Sequence, residues 1–202
     1  MLKGLSSERR REFETSDLDE IFEQACDIDL IILLGDLKHS FSRMGEQERH
    51  ALVNLFDYLK KKSKRLVVVK GNHDNYLESI TSGRMIEVRE YFIWKGYCFL
   101  HGDQDFKAIH EKEILFWIMG HLHPAISIRE GIKTERYKCF LEGSYKKKKV
   151  VILPSFVSSH EGVDILSSKS NLAWRFNFKQ FEVKVIGEKL EVLSFGKVGR
   201  LK

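Results

Sequence analysis

Leu30-Ile31-Ile32-Leu33-Leu34-Gly35-Asp36 and Leu66-Val67-Val68-Val69-Lys70-Gly71-Asn72-His73-Asp74 are two apolar runs, each ending in a glycine followed by polar, chemistry-bearing residues. Neither run alternates apolar with polar, which is the pattern of a strand covered on both faces, as in a parallel sheet. Between them, residues 46 to 62 place Leu52, Val53, Leu55, Phe56 and Leu59 at helical spacing and end in Lys60-Lys61-Lys62, cations that suit the last turn of a helix. Strand, helix, strand in this order predicts a parallel βαβ unit. Upstream, Phe13, Leu18, Ile21, Phe22 and Ala25 predict another helix over about Ser16 to Cys26, capped by Thr15 or Ser16.

After Gly83 the character changes to short strands with tight connections: Met85 to Val88, Tyr91 to Trp94, Tyr97 to Leu100, Leu115 to Met119, Ala125 to Arg129, Tyr137 to Leu141 and Val150 to Leu153. Phe181 to Ile186 and Lys189 to Phe195 read as a closing hairpin around Gly187-Glu188. Ser155 to Ser170 reads as an irregular loop. The expected architecture is a single α/β domain over residues 1 to 202, a two-sheet α/β sandwich with the early helices outside and ligands along one edge of the sheets.

The 202 residues are 43% apolar, enough for one well-buried core and too few for two full domains. No run approaches the roughly 18 apolar residues of a membrane span, and the start has no apolar signal core, so the expectation is a cytoplasmic protein without a membrane partner. Cys26, Cys98 and Cys139 are an odd count without C-x-x-C spacing, which suggests neither a disulfide framework nor a thiolate metal site. They read as small buried residues. A net charge of +5 and pI near 9.0 permit an anionic partner.

Four of the expected strand ends carry Asp36, then Asn72-His73-Asp74, then His101-Gly102-Asp103, then Gly120-His121-Leu122-His123. Strand ends are where α/β sheets place ligands. Singly, Gly-Asp and Gly-Asn are ordinary turn pairs, and one histidine after a strand is usually just hydrogen-bonded. Four such blocks in order predict a metal site. The donors are oxygen and imidazole with no thiolate, which favours Mn, Fe or Zn over a structural thiolate site. Asp36 can bridge two cations, Asn72 offers a carbonyl oxygen, and His101, His121 and His123 offer imidazole nitrogens. On an extended chain His121 and His123 would face opposite ways, whereas a turn at Gly120 closed by Pro124 would splay them towards different ions. Two cations about 3.5–4 Å apart hold a phosphoryl group and lower the pKa of a bridging water, so the set predicts phosphoester hydrolysis by metal-activated water. His73 is placed to protonate the departing oxygen, with Asp74 accepting its other N–H; the lesser alternative is a buried hydrogen-bonded ring.

These blocks resemble the motifs of the calcineurin-like metallophosphoesterase superfamily. The fuller strings Gly35-Asp36-Leu37-Lys38-His39-Ser40, Gly120-His121-Leu122-His123-Pro124-Ala125 and Leu153-Pro154-Ser155-Phe156 resemble small archaeal SbcD-related phosphoesterases and bacterial ligase-associated DNA-repair phosphoesterases. The likeness spans about residues 16 to 195. It implies that Asp36 bridges two divalent ions, that Asn72, His101 and His121 complete one site, that His123 serves the other, and that His73 is the general acid. Mn is the foremost metal implied, with Fe or Zn also accommodated. Many relatives carry a second Asp three positions after the Gly-Asp; here His39 holds that place after Lys38, and the two either contact the substrate phosphate or form a solvated loop. The family's opening Asp-x-His, which supplies two ligands to the ion that His123 serves, has no counterpart before Asp36. The resemblance thus implies a missing first strand, from a start assigned too late or a truncated copy. It also implies one weak site, since Asp36 and His123 alone are few ligands, and an unpaired sheet edge.

A phosphodiester in nucleic acid is the expected substrate, as for a DNA-repair-type nuclease, on resemblance first and charge second. The alternatives are a small-molecule or nucleotide phosphodiesterase and a catalytically impaired metal- and phosphate-binding module. Lys146 to Lys149 form either a basic hairpin tip that tracks a phosphate backbone or a solvated turn. Phe41 and Phe106 either stack on bases or pack, and Trp94, Trp117 and Trp174 read as core.

Overall fold

The computed structural model describes residues 18–25, 27–37, 45–75, 77–157, 160–167, 172–187 and 191–201. The described residues divide into two compact units, one running to Arg89 and including Val157, the other made of the remaining residues from Glu90 onward.

In the first unit the helical stretch 18–24 (α1) precedes β1 (Ile28–Leu33), α2 (Glu46–Lys62), β2 (Ser63–Val69), α3 (Leu77–Thr81) and β3 (Glu87–Arg89). The caps expected at Thr15 or Ser16, and Cys26, lie outside the described residues. The strands are parallel in the order β1-β2-β3, so the expected βαβ unit is present with a third strand beside it. The central β2 is paired on both sides and Leu66 to Val69 are fully buried, which is why that run does not alternate. β1 lies at an edge of this sheet among the described residues. Gly45 caps α2 in an extended conformation without a side-chain bond, and Glu46 and Glu48 at one end with Lys60, Lys61 and Lys62 at the other complement its dipole. Leu52, Phe56 and Leu59, one helical stripe, pack on Leu66 and Val68 of β2 and on Leu77 and Ile80 of α3. Each such side chain, taken out of water, contributes about 1.5–3 kcal/mol.

The second unit holds β4 (Tyr91–Trp94), β5 (Tyr97–Leu100), β6 (Phe116–Met119), β7 (Pro124–Glu130), β8 (Lys133–Lys138), β9 (Phe140–Tyr145), β10 (Lys148–Ile152), β11 (Val163–Asp164), β12 (Glu182–Ile186) and β13 (Val192–Lys197). A seven-stranded sheet has the order β13-β12-β9-β10-β6-β5-β4 and a three-stranded sheet the order β11-β7-β8. The α/β class is as expected, with the strands of the described residues distributed over three hydrogen-bonded sheets rather than the two expected. β5, β6 and β10 are mutually parallel, with Leu100 opposite Met119 and Met119 opposite Ile152. One core, built on Cys98, Leu100, Trp117, Met119, Val150 and Phe181, fills this unit.

Four expectations are corrected here. Tyr137 to Leu141 is not one strand: at Cys139, whose N–H donates to the Pro124 carbonyl at 3.0 Å, the chain passes from β8 in one sheet to β9 in the other. The stretch read as an irregular loop contains β11, parallel to β7. Lys148 is buried and its Nζ donates to the carbonyls of Glu111 and Ile114, both at 2.7 Å, so the lysine run is not uniformly solvated. Trp117 and Trp174 are buried as expected, but Trp94 is 38% exposed. Phe106 packs on Tyr91, ring centroids 5.0 Å apart, against the core; Phe41 lies outside the described residues. β12 and β13 pair antiparallel as the closing hairpin, with an irregularity between Val183 and Lys184. Cys98 and Cys139 are fully buried. No helix among the described residues is long and apolar enough to cross a membrane.

Candidate metal centre

Parallel pairing of β1 and β2, with Leu33 opposite Val68, brings Gly35-Asp36 and Gly71 to Asp74 to the same sheet end. Gly35 at φ 81° and Asp36 at φ 53° both turn through the left-handed region, which glycine adopts freely and Asp tolerates better than most. Gly71 is demanded by contact, since a Cβ there would stand 2.4 Å from both the backbone nitrogen and Oδ1 of Asp36. Asp74, 2% exposed, accepts three backbone N–H groups: Oδ2 from Asp36 at 2.8 Å and Gly71 at 2.9 Å, and Oδ1 from Leu37 at 3.1 Å. Its carboxylate therefore ties the two strand-end loops together. The His73 N–H donates to Asp36 Oδ1 at 3.2 Å and orients that carboxylate, while Asn72 and His73 occupy the turn closed by Asp74 N–H to the Gly71 carbonyl at 3.1 Å. Lys38 and His39 lie outside the described residues.

In the second unit, parallel pairing of β5 with β6 delivers His101 and the Gly120-His121-Leu122-His123 turn to one rim. His101 is buried, its carbonyl accepting from Gly120 N–H at 3.0 Å. Leu122 is 2% exposed and plugs into the core, while its N–H donates to the Gly120 carbonyl at 2.7 Å across His121 at φ 61°. That is a γ-turn of the rare, strained sense. His123 at φ 49° is again left-handed, and its carbonyl accepts from Val163 N–H of β11 at 2.7 Å. Gly162 makes this approach possible, because a Cβ there would come within 2.7 Å of the same carbonyl. The two histidines turn to different neighbours. His121 Nδ1 lies 3.0 Å from His101 Nε2, and the His123 ring sits 4.8 Å from that of His160. His160, whose Nδ1 accepts from Gly162 N–H at 3.1 Å, was not singled out as a site residue by sequence; its only signal was a histidine in a serine-rich loop.

The residues present fit a divalent metal. Two ring nitrogens bound to one ion at about 2.0–2.1 Å stand about 3 Å apart when the ligands are at right angles, and the His101 and His121 nitrogens have that spacing. The same spacing also suits a hydrogen bond through a single proton. Asp36 and Asn72 offer hard oxygen donors of the kind Mn and Fe accept.

Carboxylate groups at the strand ends of one unit and imidazole groups at those of the other define the class as an α/β protein with candidate metal ligands at its strand ends. Residues 11–187 match the calcineurin-like phosphoesterase family, and the chain belongs to that family, whose members use divalent metals. The match is to the family as a whole and does not single out the SbcD-related or ligase-associated branch. Among solved structures the chain is similar to a single mutant of Vps29 from Entamoeba histolytica, at 13% identity, TM-score 0.38 and 89% of each chain covered. It is also similar to a double mutant of that protein, at 14% identity, TM-score 0.41, with 90% of this chain and 89% of that one covered. No curated protein matches the chain.

Proposed function

We propose that the chain is a metal-dependent phosphodiesterase acting on nucleic acid, a nuclease of the DNA-repair type. The observation that carries the phosphoesterase part is the family match over residues 11–187, supported by the ion-sharing spacing of His101 and His121. Asp36, Asn72, His101 and His121 are the proposed ligands of one ion and Asp36 with His123 those of a second, weaker one. The assignment rests on the family motifs these residues occupy. When bound, the metal, Mn foremost, supplies charge neutralisation at the phosphoryl group and an activated water. The chain's own part is to bind and to move protons. Water would add through its oxygen to phosphorus as the ester P–O bond breaks; the departing oxygen would take a proton from His73, and the proton lost by the water would pass to solvent. Asp74 acts as a positioning residue, holding the turn that carries His73.

The test is hydrolysis of bis-p-nitrophenyl phosphate with Mn, followed by cleavage of single- and double-stranded DNA. His73→Ala is expected to lower kcat by about 10²–10⁴-fold, the usual worth of a general acid. A chromogenic rate unchanged by His73→Ala and His121→Ala would overturn the catalytic assignment. Turnover of the small diester without cleavage of any oligonucleotide would replace nucleic acid by a small phosphodiester as substrate.

A further inference from the structure

The strands that end in His101 and His121 carry, on the face turned away from the core, a row of aromatic rings that the metal chemistry does not use. Along β5, Cys98 and Leu100 point into the core while Tyr97 and Phe99 take the other face; along β6, Trp117 and Met119 point in while Phe116 takes the other. Tyr97 and Phe116 are cross-strand partners whose rings stack at 4.5 Å and 17°, and the Phe99 ring follows at 6.4 Å and 28° from Tyr97. Trp94, paired with Tyr97 across the β4–β5 ladder, extends the row to the sheet edge. Trp94 and Tyr97 are 38% and 37% exposed, so part of each ring is open to a ligand.

Cations flank the row. Lys149, opposite Phe116 on β10, holds Nζ 5.4 Å over the Phe116 ring, and Lys95 holds Nζ 4.4 Å over Trp94. Lys146 and Lys147 form the exposed β9–β10 turn next to Lys149, while the exposed Glu113 is the acidic residue whose backbone meets the β4–β5 turn at Gly96. Rings that offer a π-face, bordered by an excess of ammonium groups, match a ligand that alternates flat bases with phosphates.

We propose that this aromatic and lysine face binds single-stranded nucleic acid by stacking bases on Trp94 and Tyr97 and placing phosphates at Lys95 and Lys149. The proposal rests on the nucleic-acid reading above and adds to it a binding surface separate from the metal ligands. Tyr97 and His101 lie on one continuous stretch of chain, four residues or about 13 Å apart at strand rise, so a short strand held on the face runs towards the histidine rim.

The experiment measures binding of a fluorescein-labelled, phosphorothioate-linked oligo-dT to the full chain by anisotropy across a salt series, with tryptophan quenching read in parallel. Trp94→Ala and Tyr97→Ala are each expected to weaken binding at least fivefold, and Trp94→Phe and Tyr97→Phe to retain it, which separates stacking from misfolding. Lys149→Ala should lower the log–log salt slope by about 0.7, one phosphate contact. Since Trp117 and Trp174 are buried, quenching should come from Trp94 and vanish in Trp94→Phe. Equal affinity of wild type and both alanine variants would overturn the face and leave the nucleic-acid reading standing, which cleavage of unmodified DNA judges separately. Absence of binding by wild type, or a dimer in sedimentation that Trp94→Ala dissolves, would also overturn it, the latter in favour of self-association.

Discussion

Replacing Asp74 tests whether its carboxylate fastens the loops that present Asp36 and His73. The buried group accepts N–H bonds from Asp36, Leu37 and Gly71, so Asp74→Ala strands three donors at once. A hydrogen bond to a charged group is worth about 1.5–3 kcal/mol, and such bonds on one acceptor are not additive. The expected loss is therefore about 3–5 kcal/mol, the range of a broken buried network. Asp74→Asn makes a finer distinction. Its one oxygen can keep the two bonds now made by Oδ2, while its NH₂ meets the Leu37 N–H donor to donor, so the expected loss is about 1–3 kcal/mol. Urea unfolding followed by far-UV circular dichroism, with coincidence of a second probe checked first, reads both. Asp74→Ala within about 0.5 kcal/mol of wild type, or Asp74→Asn as damaging as Asp74→Ala, would show that these three bonds do not hold the loops.

Leu122→Ala should cost about 2–5 kcal/mol as a core cavity, and because Leu122 anchors the turn between His121 and His123 it should also weaken metal binding; calorimetric titration with Mn checks the second effect. Burial pushes the Cys98 thiol up to about 12 against the opposing pull of Lys148, and burial with the Asp164 charge does the same for Cys139, so both should resist a thiol reagent at pH 8 until the chain is denatured. Each thiol held protonated adds stability that is complete below the unfolded thiol range and is lost as pH rises towards about 12, so Cys98→Ala and Cys139→Ala should flatten the alkaline side of the stability profile. On the acid side, the hydrogen bond from Arg65, helped by Arg89 and opposed by burial, holds Glu87 below its usual value. Its contribution is present above the ordinary glutamate range and is lost as pH falls through the depressed value, so Glu87→Gln should show a shallower fall in urea midpoint between pH 7 and 3.

The parts of the fold visible in the sequence were those where one periodicity acts alone. The Glu46–Lys62 stripe and the uninterrupted Leu66 to Val69 run each answer to a single environment, a helix on one face of a sheet and a strand covered on both. Tyr137 to Leu141 reads as one apolar run because a switch between sheets at Cys139 leaves no change in composition. β11 is two residues long and is held by pairing with β7, which no local pattern records. Lys148 looked like one member of a charge run because burial through two carbonyl acceptors is a tertiary fact. The site residues stood out since glycine and proline punctuate the strand ends that carry them. His160 did not, because its contact with His123 depends on the β7–β11 pairing.

Metal binding by His101 and His121 is tested by elemental analysis of the purified chain beside its His101→Ala/His121→Ala variant, with Mn-dependent hydrolysis of bis-p-nitrophenyl phosphate on the same samples. Expected are at least one tightly held divalent ion per wild-type chain with turnover, and loss of both in the folded variant. A wild-type chain that holds no metal, or a variant that keeps both metal and turnover, would contradict it.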